Sequence, residues 1–468
     1  MAKYFSLLFL FLAQFASSAQ AGLAQQEIRW QESLKEITAM PEPFEYLPGS
    51  EDVVTIFSIH GSNTVGGSLG PSMVKRYLES KGAKDVEVIP LDTPNEKLIR
   101  GYIPALERFA QVRIEAHGSS TGFKGLVNGD ADIWAASRPA KDKEIQNAQN
   151  VSDLTSPDSE HILGIDGLAI VVNANNPIDS LSKKELRDIF AGEISNWSQL
   201  GGPNQDINLY ARDDKSGTWD SFKNMVLAKQ AKLSDRALRF ESSEQLVSNV
   251  VRDQGGIGFV GMAFVGKSKL LAISDGPAQA FKPSDLTVAT EDYALSRRLF
   301  LYTKSQSSNE FVNEFMMYAQ GVEGQKIVKE EGFISQNVAA MNMGLSEDLP
   351  EDYIRLVKGA KRLSVNFRFQ EGSAKLDNKA LKDIQRLAYF MKEQGLDKQV
   401  LLIGFGDKRK NEQRSKLLSK LRAMAVRREL ARLGIHPKAT TGYGDFNPIA
   451  SMDGASRIKN RRVEVWVR

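Results

Sequence analysis

The stretch "VRIEAHGSSTGFKGLVNGDADIWAAS", residues 112–137, reads as a strand-like segment, a Gly/Ser/Thr loop, a short helix-like segment and a second strand. Strand, helix and strand in so short a unit are the mark of an open α/β sheet. Within the loop, Gly118-Ser119-Ser120-Thr121-Gly122 also fits G-x-S-x-G, the elbow of serine hydrolases. The stretch therefore poses a chemical question: Ser120 attacks a substrate, or the loop cradles an anion that never reacts. A partial echo, "SIHGSNTVGG", stands at residues 58–67.

Outward from this stretch the alternation continues. "VVTIFSI", "LGPSMVKRYLES", "VRIEA", "FKGLVNG" and "ADIWAAS" form one series, and "GLAIVVN", "SKKELRDIFAG", "INLYAR", "WDSFKNMVLAKQ", "SEQLVSNVVRD" and "GGIGFVG" form a second. "YALSRRLFLYT" is a further strand, followed by helices in "SNEFVNEFMMYAQG" and "QKIVKEEG". Residues 22–51, polar and carrying the prolines of "MPEPFEYLPG", read as an extended lead-in. The acidic, proline-containing "GLSEDLPEDYIRLVKG" marks a linker, placed at 346–362. After it come "LSVNFRF", "DNKALKDIQRLAYFMKEQG", "VLLIGFG", "EQRSKLLSKLRAMAVRRELARLG", "ATTGYG" and "RRVEVWV", a β-α-β-α-β-β order suited to a domain of about a hundred residues.

The chain has 468 residues, 25% of them charged, which suits two or three globular domains and excludes a disordered or fibrous polypeptide. "MAKYFSLLFLFLAQFASSAQAG" places Lys3 before an apolar run from Phe5 to Phe15 and small residues at Ala19-Gln20-Ala21. That is the pattern of a secretory signal peptide over residues 1–21, cut after Ala21. There is no cysteine, hence no disulfide, no thiolate metal site and no cysteine for a lipid anchor. A bacterial cell envelope fits this combination. The net charge of +3 hides an asymmetry: residues 361–468 carry 25 Lys and Arg against 11 Asp and Glu, net +14, and the remainder is net −11. In an exported protein a basic domain points to an anionic polymer or surface of the envelope rather than to nucleic acid.

Three loops share one construction: "HGSNTVGGS" at 60–68, "HGSSTGFKG" at 117–125 and "RDDKSGTWDSF" at 212–222. Each leaves a strand-like stretch and enters a helix-like one. Ser, Thr and Gly there cap the helix and allow close backbone approach, while free N–H groups and the helix dipole favour an anion. Singly each is an ordinary N-cap. Together, with Arg212 four residues before Ser216-Gly217-Thr218, they can converge on one oxyanion, whose geometry a guanidinium fork matches. The elbow needs a base and an orienting acid, yet after Ser120 only His161 and His436 follow, and His436 lies in the basic tail. His60 and His117 end strands beside their loops; a metal site there would need further ligands, and they read as local hydrogen-bond partners.

These motifs together resemble the PstS-type phosphate-binding proteins of the periplasmic substrate-binding superfamily. The resemblance rests on Gly61 to Thr64, Gly118-Ser119-Ser120, "GDADIWAASRP", "GLAIVVNANNPIDSLSKKELRDIFAGEISNWSQLGG", "ARDDKSGTWDSF" and "VRDQGGIGFVG", and covers residues 52–345. It implies an α/β, two-lobed periplasmic-binding-protein fold of type II, with a second lobe at about 167–291 and an oxyanion clamped in the cleft. Carried over motif by motif, phosphate contacts fall on Thr64 and Val65 (by backbone N–H), Ser119, Arg212, Ser216, Gly217 and Thr218, with Ser62, Ser137 and Arg138 as contributors. Some members place an aspartate after the strand to accept the proton of hydrogen phosphate, where this chain has Ala136-Ser137-Arg138. Without that acceptor the chain discriminates less against fully deprotonated sulfate; Asp213 or Asp214 is the candidate substitute acceptor, and Arg138 a candidate added donor.

In the basic tail, Asp407 at a strand end and Arg422 on the following helix are a carboxylate and a guanidinium able to bind a zwitterion if held close. Spacing alone leaves an ordinary surface ion pair as the simpler reading. "FRFQEGSAKLDNKALKDIQRLA", "LLSKLRAMAVRRELARLGI", "TGYGDFNP" and "NRRVEVWV" resemble an OmpA-like peptidoglycan-associating domain, a small α+β fold, over residues 363–468. The resemblance implies that Asp407 and Arg422 grip the diaminopimelate of peptide stems, with Asn460 and Arg461 near the ligand. Gly406 stands where threonine is usual, and Ser415 where asparagine is usual.

The expectation is a non-enzymatic protein of the periplasm of a Gram-negative-type envelope: an oxyanion receptor tethered to peptidoglycan, without metal or cofactor. Its expected partners are phosphate, the wall and, through the resemblance, an ABC transporter permease. Two other classes stay open: a wall-associated structural, adhesion or signalling protein with a vestigial clamp, and an envelope serine hydrolase using Ser120.

Overall fold

The computed structural model describes residues 22–214, 216–276, 278–305, 307–344, 349–369, 373–396, 399–407, 411–451 and 455–468. The leader read at residues 1–21 lies outside them. Among the described residues no helix is long and apolar enough to cross a membrane.

Up to Thr303 the strands are β1 (Val53–Gly61), β2 (Lys84–Pro90), β3 (Glu96–Ile103), β4 (Arg108–Glu115), β5 (Ile133–Ala136), β6 (Glu160–Val172), β7 (Ser180–Ser182), β8 (Asn208–Arg212), β9 (Leu238–Phe240), β10 (Gly256–Gly261), β11 (Lys269–Leu270), β12 (Ala272–Ser274) and β13 (Ser296–Thr303). All but β7 and β12 share one curled sheet, ordered β2-β3-β4-β1-β5-β13-β6-β10-β8-β9, with β11 beside β6. The seam is β6. Through Gly167 it pairs antiparallel with β13, and from Leu168 to Val172 it pairs with β10. It carries the chain from the first lobe into the second, and β13 brings it back.

Each lobe keeps its own parallel pairs, β1 with β4 and β5 in the first, β8 with β9 and β10 in the second. The three Gly/Ser/Thr loops leave the C-terminal ends of β1, β4 and β8, where parallel α/β sheets place their ligands. Each lobe also has its own core. The first packs Leu69, Met73 and Tyr77 on Ile114 and Ile133; the second stacks Phe222 on Phe259 with ring centres 4.0 Å apart.

The C-terminal sheet runs β14 (Ala340–Met341), β15 (Lys361–Arg368), β18 (Arg462–Val467), β16 (Val400–Gly404) and β17 (Ala439–Gly442) in spatial order. Helices Asn378–Glu393 and Glu412–Arg432 lie on it and bury Leu387, Met391, Val426 and Leu430 in its core.

Two segments differ from their sequence reading. Residues 22–37 are helical, because the C-terminal domain covers one face of them. Trp30 packs on that domain's core with Lys392 over its ring at 3.8 Å, Gln26 donates to Ala431 O at 2.6 Å, and Lys382 pairs with Glu36 at 2.5 Å. Within the segment read as a linker, residues Glu351–Val357 form a helix whose Tyr353 and Val357 are buried against Phe405 and Trp466.

The C-terminal domain straddles both lobes. Toward the first, Asn378 donates to Thr155 O at 3.0 Å and Arg386 to Gln320 O at 3.1 Å. Toward β13 and the turn before it, Arg298 pairs with Asp377 at 2.8 Å and with Glu291, and Arg368 donates to Thr290 O at 2.9 Å.

Candidate functional site

Gly118 has φ +105°, a conformation glycine alone adopts without strain, and it lets its N–H reach Gly61 O at 2.6 Å. The first two loops are thereby tied together. From there the helix Ser119–Asn128 begins, and Ser119 Oγ accepts from Ser137 N at 3.2 Å, joining the second loop to the end of β5. Thr64 and Val65 open a π-helical turn, Val65–Leu69, that runs into helix Gly70–Ser80. Their N–H groups thus belong to a first turn, which lacks intrahelical acceptors. Ser62 Oγ is buried with no hydrogen-bond partner among the described residues.

The third loop comes from the other lobe. Ser216 caps helix Gly217–Phe222, its Oγ accepting from Thr218 N at 3.2 Å and Trp219 N at 3.4 Å. Gly217 sits so close to Thr64 that a Cβ there would collide with the Thr64 side chain and lie 2.6 Å from its backbone nitrogen. The lobes are therefore in contact at this point, and Thr64, Ser119, Ser137, Ser216, Gly217 and Thr218 belong to one small region.

The arginine that bridges this region is Arg297, a residue that sequence reasoning missed. Its Nη2 donates to Thr64 Oγ1 at 2.8 Å and to Gly217 O at 3.3 Å; its Nη1 reaches Ser137 O at 3.5 Å. Asp166, on β6, holds its Nε at 3.0 Å. Arg212 is spent elsewhere: it donates to Ser243 Oγ at 2.5 Å, Glu241 O at 2.6 Å and Phe240 O at 3.3 Å, all within its own lobe. Burial pulls its pKa below that of an ordinary guanidinium. The structure thus puts Arg297, not Arg212, across the two lobes. The signal that could have found it is a pair of charges, Arg297-Arg298, inside the otherwise apolar "LFLYT" strand.

Arg138 makes a two-pronged pair with Glu144, both contacts at 2.7 Å, and reaches Ser120 Oγ at 3.2 Å and Pro139 O at 3.0 Å. Its reach is toward Glu144 and Ser120, so it stabilises the loop behind the site. Asp214 is exposed and pairs with Arg239 at 2.5 Å, and Asp213 places its N–H on Phe240 O at 3.0 Å. The carboxylate joined to the region by contact is Asp166, through Arg297.

Among the described residues no histidine or carboxylate hydrogen-bonds Ser120, as a hydrolase triad would need. Ser120 is an exposed residue in the first turn of a helix and accepts from Arg138. His161 lies on β6 opposite Leu301 of β13, its ring nitrogens 3.2 Å from Gln320 Oε1 and 3.3 Å from Thr303 Oγ1. Burial lowers its pKa. Of the loop histidines, His117 hydrogen-bonds Glu96 at 3.1 Å and His60 lies 3.6 Å from Glu115. Ligand atoms of Glu96, Glu115 and His117 come within 4.8 Å of one another, but Arg113 pairs with both carboxylates at 2.7 and 2.6 Å and offsets part of their charge. The bond from His117, with Arg113 beside it, outweighs desolvation and holds Glu96 below the usual carboxylate range.

In the C-terminal domain, Arg461 Nε donates to Asp407 Oδ2 at 2.6 Å. Asp407 Oδ1 and Arg461 Nη1 are buried with no hydrogen-bond partner among the described residues. Arg422 stands over the Phe369 ring at 5.7 Å, and a Cβ on Gly406 would be 3.0 Å from its Nη1. Asp407, Arg422 and Arg461 are thus brought together. Asn460 is not presented with them: its Oδ1 accepts from Ile449 N and Ala450 N at 2.9 and 3.0 Å, and its Nδ2 donates to Ala450 O. Ser415 Oγ donates to Asp407 O at 3.1 Å, so the unusual serine helps to place the carboxylate.

Comparison with known proteins gives the same division. A PBP superfamily domain profile matches residues 98–323, and an OmpA family profile matches residues 368–462. The phosphate-binding protein PstS of Staphylococcus aureus is 30% identical over 267 residues, spanning 55% of this chain and 78% of that one. An ABC-type phosphate transport receptor from Vibrio cholerae aligns in three dimensions at a TM-score of 0.46 and 26% identity, over 59% of this chain and 99% of its own. A possible phosphate-binding protein from Planctomyces limnophilus aligns at 0.48 and 26%, over 61% and 94%.

Proposed function

Since the chain belongs to the PstS family of phosphate-binding proteins and carries an OmpA-family domain behind it, we propose that it binds phosphate in the interlobe cleft while anchored to peptidoglycan. The observation that carries the reading is the meeting of Thr64, Ser137 and Gly217 around Arg297. In this reading the N–H groups of Thr64 and Val65 and the donors of Ser119, Ser216, Gly217 and Thr218 receive the oxyanion. Arg297 turns from Thr64 toward it, exchanging a neutral acceptor for a charged one, which makes a stronger hydrogen bond. Arg212 acts from behind, fixing the β8–β9 end that aims the third loop.

At the wall, the open oxygen of Asp407 receives the ammonium of a diaminopimelate centre, while Arg422 and Arg461 take its carboxylate. The protein works without chemical turnover, in the periplasm, as a receptor that keeps phosphate available for an ABC transporter permease. The leader, read from sequence, delivers it there, and the wall domain replaces the lipid anchor for which no cysteine exists.

The test joins the two halves. Purified sacculi are incubated with the protein and radiolabelled phosphate, then sedimented. The expected result is co-sedimentation of protein with phosphate; label left in the supernatant, or protein left there, removes the corresponding half of the proposal.

A further inference from the structure

A cavity of about 600 Å³ lies beside the clamp, where the two lobes and the C-terminal domain meet. Ser137 and Arg297 belong to both. From them the wall continues through Asn224 and Met225 of the second lobe to Phe369 and Lys459 of the C-terminal domain. This volume is in the range of sites for small organic molecules and far exceeds what inorganic phosphate fills. The C-terminal domain therefore makes part of the cleft wall, in addition to its candidate wall-binding site.

The chemistry of the lining is apolar on one side and donor-rich on the other. Phe300, Phe369 and Ile458 supply the apolar surface. The carboxylates that border the cavity are already used: Glu291 and Asp377 by Arg298, and Glu160 by Tyr302 at 3.0 Å and Asn378 at 3.2 Å. Donor capacity is left over. Among the described residues Arg368 Nε makes no hydrogen bond; its ion pair with Glu291, at 3.5 Å, is too long to be one. Among the described residues Lys459 has only the long contacts to Ser296 Oγ and Tyr293 O at 3.4 and 3.5 Å, and burial pushes it down to about 8. A half-buried charged amine with so few close acceptors is stabilised by an acceptor that enters.

Resting on the phosphate reading above, we propose that this cleft takes phosphate monoesters: the phosphoryl group sits in the clamp, and the organic group passes Ser137 and Arg297 into the cavity. There its carbon skeleton lies against Phe300 and Phe369, and a hydroxyl or carboxylate accepts from Lys459 and Arg368. A clamp closed on all sides around a free oxyanion would exclude such a substituent; here the side past Arg297 opens into space built for one.

The test titrates the full chain with inorganic phosphate, glycerol 3-phosphate and phenyl phosphate in a calorimeter. The expected result is that at least one ester binds within about tenfold of phosphate. Asn224→Trp and Ile458→Trp, at exposed positions on the cavity, should each weaken the ester about tenfold or more and leave phosphate unchanged. Lys459→Met should weaken glycerol 3-phosphate more than phenyl phosphate. Phosphate binding with no ester binding overturns the proposal and leaves the phosphate reading intact, as does ester binding indifferent to both tryptophans. Binding of neither phosphate nor ester overturns both.

Discussion

The candidate clamp and the candidate wall site are built on opposite plans. In the clamp, the bridging cation already has partners: Arg297 is held by Asp166, Thr64 and Gly217, and the residues that meet come from two lobes. In the candidate wall site, one small domain presents a carboxylate oxygen and a guanidinium nitrogen that are buried and, among the described residues, unanswered. A ligand in the first must replace internal contacts, so its affinity depends on how the lobes are set. A ligand in the second completes bonds that the fold leaves open. On the proposed reading, selectivity in the clamp comes from exchange, and in the wall site from preorganisation.

The largest effect is expected where the two regions are joined. Glu291 is buried between Arg298 and Arg368, and Glu291→Gln should destabilise the chain by about 3 kcal/mol or more in urea unfolding, because two buried cations each lose one of their carboxylate partners. Burial opposes the ionisation of Glu291, but the two arginines outweigh it and hold it far below the ordinary glutamate value of 4.5. Its folded pKa being depressed, its contribution is complete above that ordinary value and is lost as pH falls toward the folded one. Acidification below about pH 4.5 should therefore weaken wild type and affect the Gln variant less.

Next comes the contrast between Arg297 of the clamp and Arg212 behind it. Arg297→Ala should weaken phosphate by about a hundredfold, roughly 3 kcal/mol, since it removes a desolvated charged donor. Arg212→Ala should cost about 1–2 kcal/mol, seen mainly as a lower melting temperature, because Phe240 O, Glu241 O and Ser243 lose their donor. The opposite ranking in calorimetry would return the main anion contact to Arg212. In the wall site, Asp407→Ala should lower sacculus co-sedimentation by an amount near 2 kcal/mol, leaving Arg461 buried without its carboxylate. Equal retention of both proteins would remove Asp407 from the mechanism. The smallest effect is expected for Gly406→Thr: the Arg422 side chain must give by tenths of an ångström, under about 1 kcal/mol, and sacculus binding should stay close to wild type.

Much of this was legible in "VRIEAHGSSTGFKGLVNGDADIWAAS" and its echoes, because loop, cap and helix are local matters. The convergence of the loops followed from the parallel sheet that their spacing announced. Arg297 was not legible: it lies on a hinge strand far from every loop motif, and only the pairing of β13 with β6 and β5 brings it beside Thr64. The diversion of Arg212 depends on the parallel pairing of β8 with β9, which places Phe240 opposite it. Helix 22–37 was hidden for a similar reason, since the surface that stabilises it belongs to the far end of the chain. Asp407 and Arg422 were legible through their motif, but Arg461 as the direct partner of Asp407 needed the meeting of the β16 and β18 ends.

The central claim is that the two lobes close on phosphate around Arg297. Titration calorimetry of the full chain and its Arg297→Ala variant with inorganic phosphate tests it most directly. The account predicts one saturable site in the wild type and at least a hundredfold weaker binding, about 3 kcal/mol, in the variant. No heat from the wild type, or identical isotherms for the two proteins, would contradict it.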